Sequence, residues 1–160
     1  MEKRFLILPV MIAGVLLSLQ SANAATAQID VSATVVGACN VQAVPIDFGV
    51  FSGSRIDTSG QVSVTCNNGV PFNIALDAGM HSDGANRMLS NGAGAILPYR
   101  LTYTGLDWGD AGVTNTYPGD PVAGLGVGVP EMYAVEARLF SAVDAPPGVY
   151  TDTVTVTVAF

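Results

Sequence analysis

The sequence predicts an all-β domain, an immunoglobulin-like sandwich. Three observations carry that prediction. Apolar residues recur at every second position in run after run, the period of half-buried strands. Eighteen glycines and nine prolines gather between those runs. Beyond the first two dozen residues, no stretch of ten or more has helical periodicity. With 49% apolar and only 12% charged residues, the chain is not a solvated, unfolded tail. At 160 residues it suits one domain. Its formal charge of −7 argues against nucleic acid or an anionic membrane as partner, since both need a basic footprint.

Residues 1–24 read as a secretory signal peptide. Lys3 and Arg4 precede an uncharged run from Phe5 to Leu19, and Ala22-Asn23-Ala24 offers a cleavage site before Ala25. The run is short for a membrane span, and small residues follow it rather than basic ones. Cleavage leaves 136 residues with 12 acids, four arginines and no lysine, a formal charge of −8. Lysine-based covalent chemistry is thereby excluded. Two cysteines in an exported domain most simply form one disulfide, Cys39–Cys66. It would close a 28-residue loop and contribute about 3.5 kcal/mol.

Along the mature chain, Ile29, Val31, Ala33 and Val35 alternate with polar neighbours. Val44, Ile46, Phe48 and Val50 form a second row, and Pro45 among them points to an edge strand. Val62, Val64 and Cys66 follow, then Phe72, Ile74 and Leu76 after the Asn67-Asn68-Gly69 turn. Leu97, Tyr99, Leu101 and Tyr103 make another set, as do Tyr133, Val135, Ala137 and Leu139. In the last strand Val154, Val156, Val158 and Phe160 share one face, with Thr151, Thr153, Thr155 and Thr157 on the other. Turn signals at Ser52-Gly53, Ser59-Gly60, Asp83-Gly84, Asn91-Gly92, Pro118-Gly119 and Pro146-Pro147-Gly148 separate the runs. Asp107 to Pro130 reads as a long surface loop with at most one short strand.

The final strand stops at Phe160 with no following turn, and the first alternating run, residues 25–36, lies directly after the cleavage site. A sandwich lacking its closing strand exposes an apolar groove and an unpaired edge. A neighbour's arm bearing Ile29, Val31, Ala33 and Val35 would fill consecutive pockets by β-strand addition. Those side chains would supply roughly 5–8 kcal/mol. A head-to-tail contact of this kind builds filaments. The alternative is that the arm is the first strand of a self-sufficient sandwich.

Several blocks, in this order, resemble the spore coat protein U domain family, the secreted pilins of archaic (Csu-type) chaperone–usher systems. They are Cys39 with Phe48-Gly49, Val62-Ser63-Val64-Thr65-Cys66, residues 72–79 (Phe72 to Gly79), Leu97-Pro98-Tyr99-Arg100-Leu101 and Trp108-Gly109-Asp110. The terminal block, Pro147-Gly148-Val149-Tyr150 through Val158-Ala159-Phe160, is the most specific. The resemblance implies an incomplete immunoglobulin-like β-sandwich, residues 37–160, completed by a donor strand from a neighbouring subunit. A periplasmic chaperone would cap it, and an outer-membrane usher would assemble it with other copies or pilin subunits into surface pili for adhesion and biofilm. It also implies that Cys39–Cys66 ties the first core strand to the second. Residues 29–35 then occupy the donor-strand position, and the last strand, with Val154, Val156, Val158 and Phe160, is the surface that the chaperone grips.

The remaining constellations point to no enzyme, metal or cofactor. His81 with Asp77 and Asp83 sits in a Gly/Asp/Ser turn and reads as solvated. Trp108 beside Asp107 and Asp110 could stack on a sugar, but reads better as packing. The acids of that loop match no EF-hand spacing. Gly124-Leu125-Gly126-Val127-Gly128 lacks the residues of a phosphate loop. There is no G-x-S-x-G elbow, and one histidine leaves little room for a triad. Tyr150 reads as a structural corner leading into the last strand, with direct chaperone contact as the alternative. Two further functions stay open at this level: a monomeric secreted module binding a glycan or cation, and a spore or cyst coat component.

Overall fold

The computed structural model describes residues 25–160, so the signal-peptide segment 1–24 lies outside the described residues. Residues 25–34 group apart from residues 35–160 and contain no helix or strand, with Ile29 and Val31 exposed. The domain proper is all β. Its strands are β1 (Cys39–Val44), β2 (Ile56–Cys66), β3 (Pro71–Leu76), β4 (Arg87–Ser90), β5 (Ile96–Tyr103), β6 (Leu106–Asp107), β7 (Val122–Leu125), β8 (Glu131–Leu139) and β9 (Val156–Ala159).

They form two sheets. The larger runs β1-β2-β8-β5-β4, with β6 paired to β5, and the smaller runs β7-β3-β9. All these strand pairings are antiparallel. The core lies between the sheets and is filled by the alternating rows read from the sequence. Val62, Val64 and Cys66 meet Tyr133, Val135, Ala137 and Leu139, Leu97, Tyr99 and Leu101, and the facing Phe72, Ile74 and Leu76. Cys39 and Cys66 stand opposite each other across β1 and β2 and are disulfide-bonded.

Three sequence expectations are corrected. The row Val44–Val50 is not a strand. β1 ends at Val44, opposite Gln61, because Pro45 has no N–H to continue the ladder. The chain then turns, with Gly49 donating to the Asp47 carboxylate (2.8 Å) and holding φ 70°, and leaves Val50 94% exposed. The Ser59-Gly60 turn signal falls inside β2. There, a Cβ on Gly60 would lie 2.5 Å from the Ile46 side chain, so the glycine makes room for packing rather than for a turn.

The third correction concerns residues 107–130, which do not form a simple surface loop. Trp108, Asp110 and Tyr117 are buried, the first two completely or nearly so. The Trp108 N–H donates to Leu101 of β5 (3.1 Å) and its indole to the Ile74 carbonyl of β3 (2.7 Å), so one residue joins both sheets. The Asp110 carboxylate accepts from Tyr117 N–H (2.7 Å), Thr116 N–H (3.0 Å), the Thr116 hydroxyl (2.6 Å) and the Thr114 hydroxyl. Buried Arg87 donates to the carbonyls of Asp77 (2.8 Å), Leu76 (2.7 Å) and Trp108 (2.9 Å), and its guanidinium stacks 3.8 Å from the Tyr117 ring centre. A buried cation is costly, and these charge-assisted bonds with the aromatic face offset that cost.

Burial disfavours the Asp110 carboxylate. The bonds from Thr114, Thr116 and Tyr117 outweigh it and bring its pKa down to about 2. Because the folded value lies below the ordinary 3.8, the group stabilises the fold above about pH 4, and that stabilisation is lost as the pH falls towards 2. Thermal melts across that window should show this decline in the native chain. Asp110→Asn should melt lower at pH 6 and lack most of the decline.

Candidate functional site: the open edge of the smaller sheet

β9 pairs with β3 through Ile74↔Val158 and Leu76↔Val156, and no described strand pairs with its other side. Its N–H and C=O groups on that side therefore form an edge open to another chain. The expected strand of residues 151–160 is shorter than its alternation suggests. Only Val156–Ala159 is regular strand, while Thr151 makes an isolated pair with Ser90 of β4 (2.9 Å in each direction). The segment thus leaves the edge of one sheet and crosses to the edge of the other. Thr153 accepts from Met80 N–H (3.1 Å) and Thr155 from Asp77 N–H (3.2 Å) on the way. This change of partner limits the strand, not a loss of pattern.

Along the crossing, Val154, Val156 and Val158 face inward yet remain only half-buried, as do Val41 of β1 and Ile46 and Phe48 just after it. Phe160, expected in the same row, is 63% exposed. It lies near Gly37 and Val70, next to the disulfide end of the sandwich. β1 runs beside β9, and Phe48 meets the Tyr99 ring edge-on at 6.2 Å. A half-buried apolar row beside an unpaired strand edge is a site shaped for an extended peptide with alternating side chains.

Polar groups fix the approach to this edge. Asp152, with a side chain only 2% exposed, accepts from the Tyr99 hydroxyl (2.6 Å) and from His81 N–H (3.1 Å), and His81 Nδ1 lies 3.1 Å from it. Burial, reinforced by the bond to Asp152, pushes the Tyr99 phenol far above its usual pKa. The Asp77 carboxylate accepts from Gly79 N–H (2.9 Å) and Thr155 N–H (2.8 Å). Sequence reasoning grouped His81 with Asp77 and Asp83, but Asp83 only closes its own turn, accepting from Ala85 (2.8 Å) and Asn86 (2.6 Å). The true partner, Asp152, is 71 residues away in sequence. No local signal could have found it.

The other sequence candidates fall into place around the edge. The Tyr150 hydroxyl donates to the Pro146 carbonyl (2.8 Å), the local bond of a tyrosine corner. Trp108, 1% exposed, has no free face for a sugar. In the glycine run, a Cβ on Gly126 would come within 2.7 Å of Cys66 Cβ, so that glycine serves close packing against the disulfide. Among the described residues no three His, Cys, Asp or Glu side chains gather as a metal site. A polar groove of about 410 Å³ on the outer face of the larger sheet holds Arg100, Glu136 and Arg138. Its charges are already engaged: Asp57 lies between Arg138 (2.6 Å) and Arg55 (2.9 Å), and Glu136 accepts from Thr102 (2.9 Å).

The Spore Coat Protein U domain profile matches residues 25–157. The chain belongs to the Spore Coat Protein U domain family. No curated protein sequence is significantly similar to this family member. Among solved structures, it is similar to a chain of the CsuC–CsuE chaperone–tip adhesion subunit pre-assembly complex from archaic chaperone–usher Csu pili of Acinetobacter baumannii. That match has a TM-score of 0.57 and 21% identity, and covers 79% of this chain and 40% of the other. This chain therefore spans less than half the length of its counterpart. It is also similar to the P pilus rod subunit PapA, with a TM-score of 0.55 and 15% identity over 76% of this chain and 97% of that one. At these identities the likeness establishes the immunoglobulin-like fold.

If the Tyr150 bond braces the last crossing, Tyr150→Phe should lower stability by about 1 kcal/mol in urea unfolding, with the slope of the transition unchanged.

Proposed function

We propose that this protein is a structural subunit of a surface pilus assembled through the chaperone–usher pathway by donor-strand exchange, serving adhesion and biofilm formation. The observation that carries the reading is the open edge of β9, flanked by half-buried Val41, Ile46, Phe48, Val154, Val156 and Val158. The proposed occupant is the arm of another copy. Residues 25–36 alternate Ile29, Val31, Ala33 and Val35 with polar residues, yet form no strand in the single chain. An extended segment at β9 would satisfy the edge's N–H and C=O groups and dry the valine row at once. Family membership and the pilin-like fold support the same reading.

On this reading a periplasmic chaperone covers the same edge before assembly, an outer-membrane usher carries out the exchange, and the mature subunit resides in a cell-surface pilus. Because donor and acceptor surfaces differ, the contact is heterologous and propagates instead of closing. An unheated, SDS-containing gel of cell-surface material tests this. The native chain should give a ladder of multimers that collapses on boiling, and a chain lacking residues 25–36 should give none. A ladder that persists without the arm, or a lone monomer band from the native chain, would overturn the proposal.

A further inference from the structure

Residues 153–158 read Thr-Val-Thr-Val-Thr-Val. Such a segment is nearly unchanged by a shift of two residues. A one-residue slip would turn every valine outward and is strongly disfavoured, but a two-residue slip keeps the apolar row inward. In one direction it replaces Val154, Val156 and Val158 by Val156, Val158 and Phe160, all apolar. The backbone contacts of this segment are equally tolerant: Thr153 and Thr155 supply carbonyls to Met80 and Asp77, and the next threonine along could do the same. Hydrophobic patterning therefore does not choose the register observed, Ile74↔Val158 and Leu76↔Val156.

We infer that Asp152 chooses it, acting as a register pin for the strand that carries the open edge. Asp152 occupies the same inward row as Val154, Val156 and Val158, and it is the row's only ionisable member. Its slot is built for a carboxylate: the Tyr99 hydroxyl at 2.6 Å, His81 N–H at 3.1 Å and the His81 ring at 3.1 Å converge on it. Gly79 leaves the space, since with φ +79° any Cβ there would collide with the Asp152 carboxylate. The slip that keeps the valine row apolar puts Val154 into this slot and leaves buried Tyr99 and part-buried His81 without their carboxylate acceptor. The opposite slip pushes the carboxylate into the valine row without partners. Both are penalised at the same residue.

The functional weight of the pin rests on the proposed acceptor role of β9. A two-residue slip would displace the edge by about 7 Å relative to β3 and to the half-buried residues beside it. The pockets offered to an incoming strand would no longer line up.

Register can be read within one chain, whether or not it polymerises, by engineered cysteine pairs under mild oxidation. Ala75→Cys with Thr157→Cys reports the observed register, in which these positions are paired. Ala75→Cys with Ala159→Cys reports the two-residue slip. In the otherwise native chain only the first pair should cross-link. Asp152→Val, which makes the inward row wholly apolar, should raise the slipped cross-link by tenfold or more. Asp152→Asn, which keeps the side chain's size, should raise it in the same direction by a smaller factor, and it alone decides if Asp152→Val yields no folded chain. Exclusive cross-linking of the Ala75–Thr157 pair in the folded variants would overturn the inference, while leaving the pilus reading untouched.

Discussion

A strand fills all its backbone hydrogen bonds only between two partners, and β9, like β1, β4 and β7, has one. β9 differs in the half-buried valine row beside its free side. Most of what is unusual in this domain surrounds that deficit. The smaller sheet holds only β7, β3 and β9 against the larger sheet's six strands, so the core is thinly covered along β9 and its valines stay half-buried. An apolar edge of this kind promotes indiscriminate association unless a specific partner occupies it. In the assembly proposed above, the alternating arm of another copy would answer both needs, hydrogen bonds and apolar cover.

Away from the open flank, directional bonds tie the domain together. The disulfide fixes β1 to β2 beside the flank. At the other end of the crossing, Trp108 joins the two sheets, Arg87 gathers three carbonyls, and Asp110 organises the turn from Thr114 to Tyr117. These are buried polar networks with demanding geometry, and such networks specify one arrangement where apolar packing alone tolerates several. Asp152 extends the same logic to the edge itself, where valine and threonine repeat and shape carries little positional information.

The fold was legible in the sequence wherever period two coincided with a buried face. Val62 to Cys66, Phe72 to Leu76, Leu97 to Leu101 and Tyr133 to Leu139 became core strands as their alternation implied. Pro45 and Gly60 were legible as special residues but misleading about their effect, since one ends a ladder and the other accommodates Ile46 within a strand. The Asp107–Pro130 segment looked like surface because its Gly, Pro and Asp content favours turns. The burial of Trp108 and Tyr117 within it depends on Ile74 and Arg87, which lie on other segments. The candidate site was half legible: the valine row could be read locally, whereas the slot that holds Asp152 is assembled from Tyr99, His81 and Gly79 on other segments.

Amide hydrogen exchange over residues 153–160 tests the central claim most directly, compared between the chain before assembly and the same chain recovered in surface multimers. If another copy's strand closes the edge of β9, exchange in this segment should slow by at least about tenfold on assembly, the effect of one added hydrogen bond or more. Core strands such as β8 should change little. Equal exchange of residues 153–160 in the two states would contradict the account, because it would mean that the multimers form without covering the open edge.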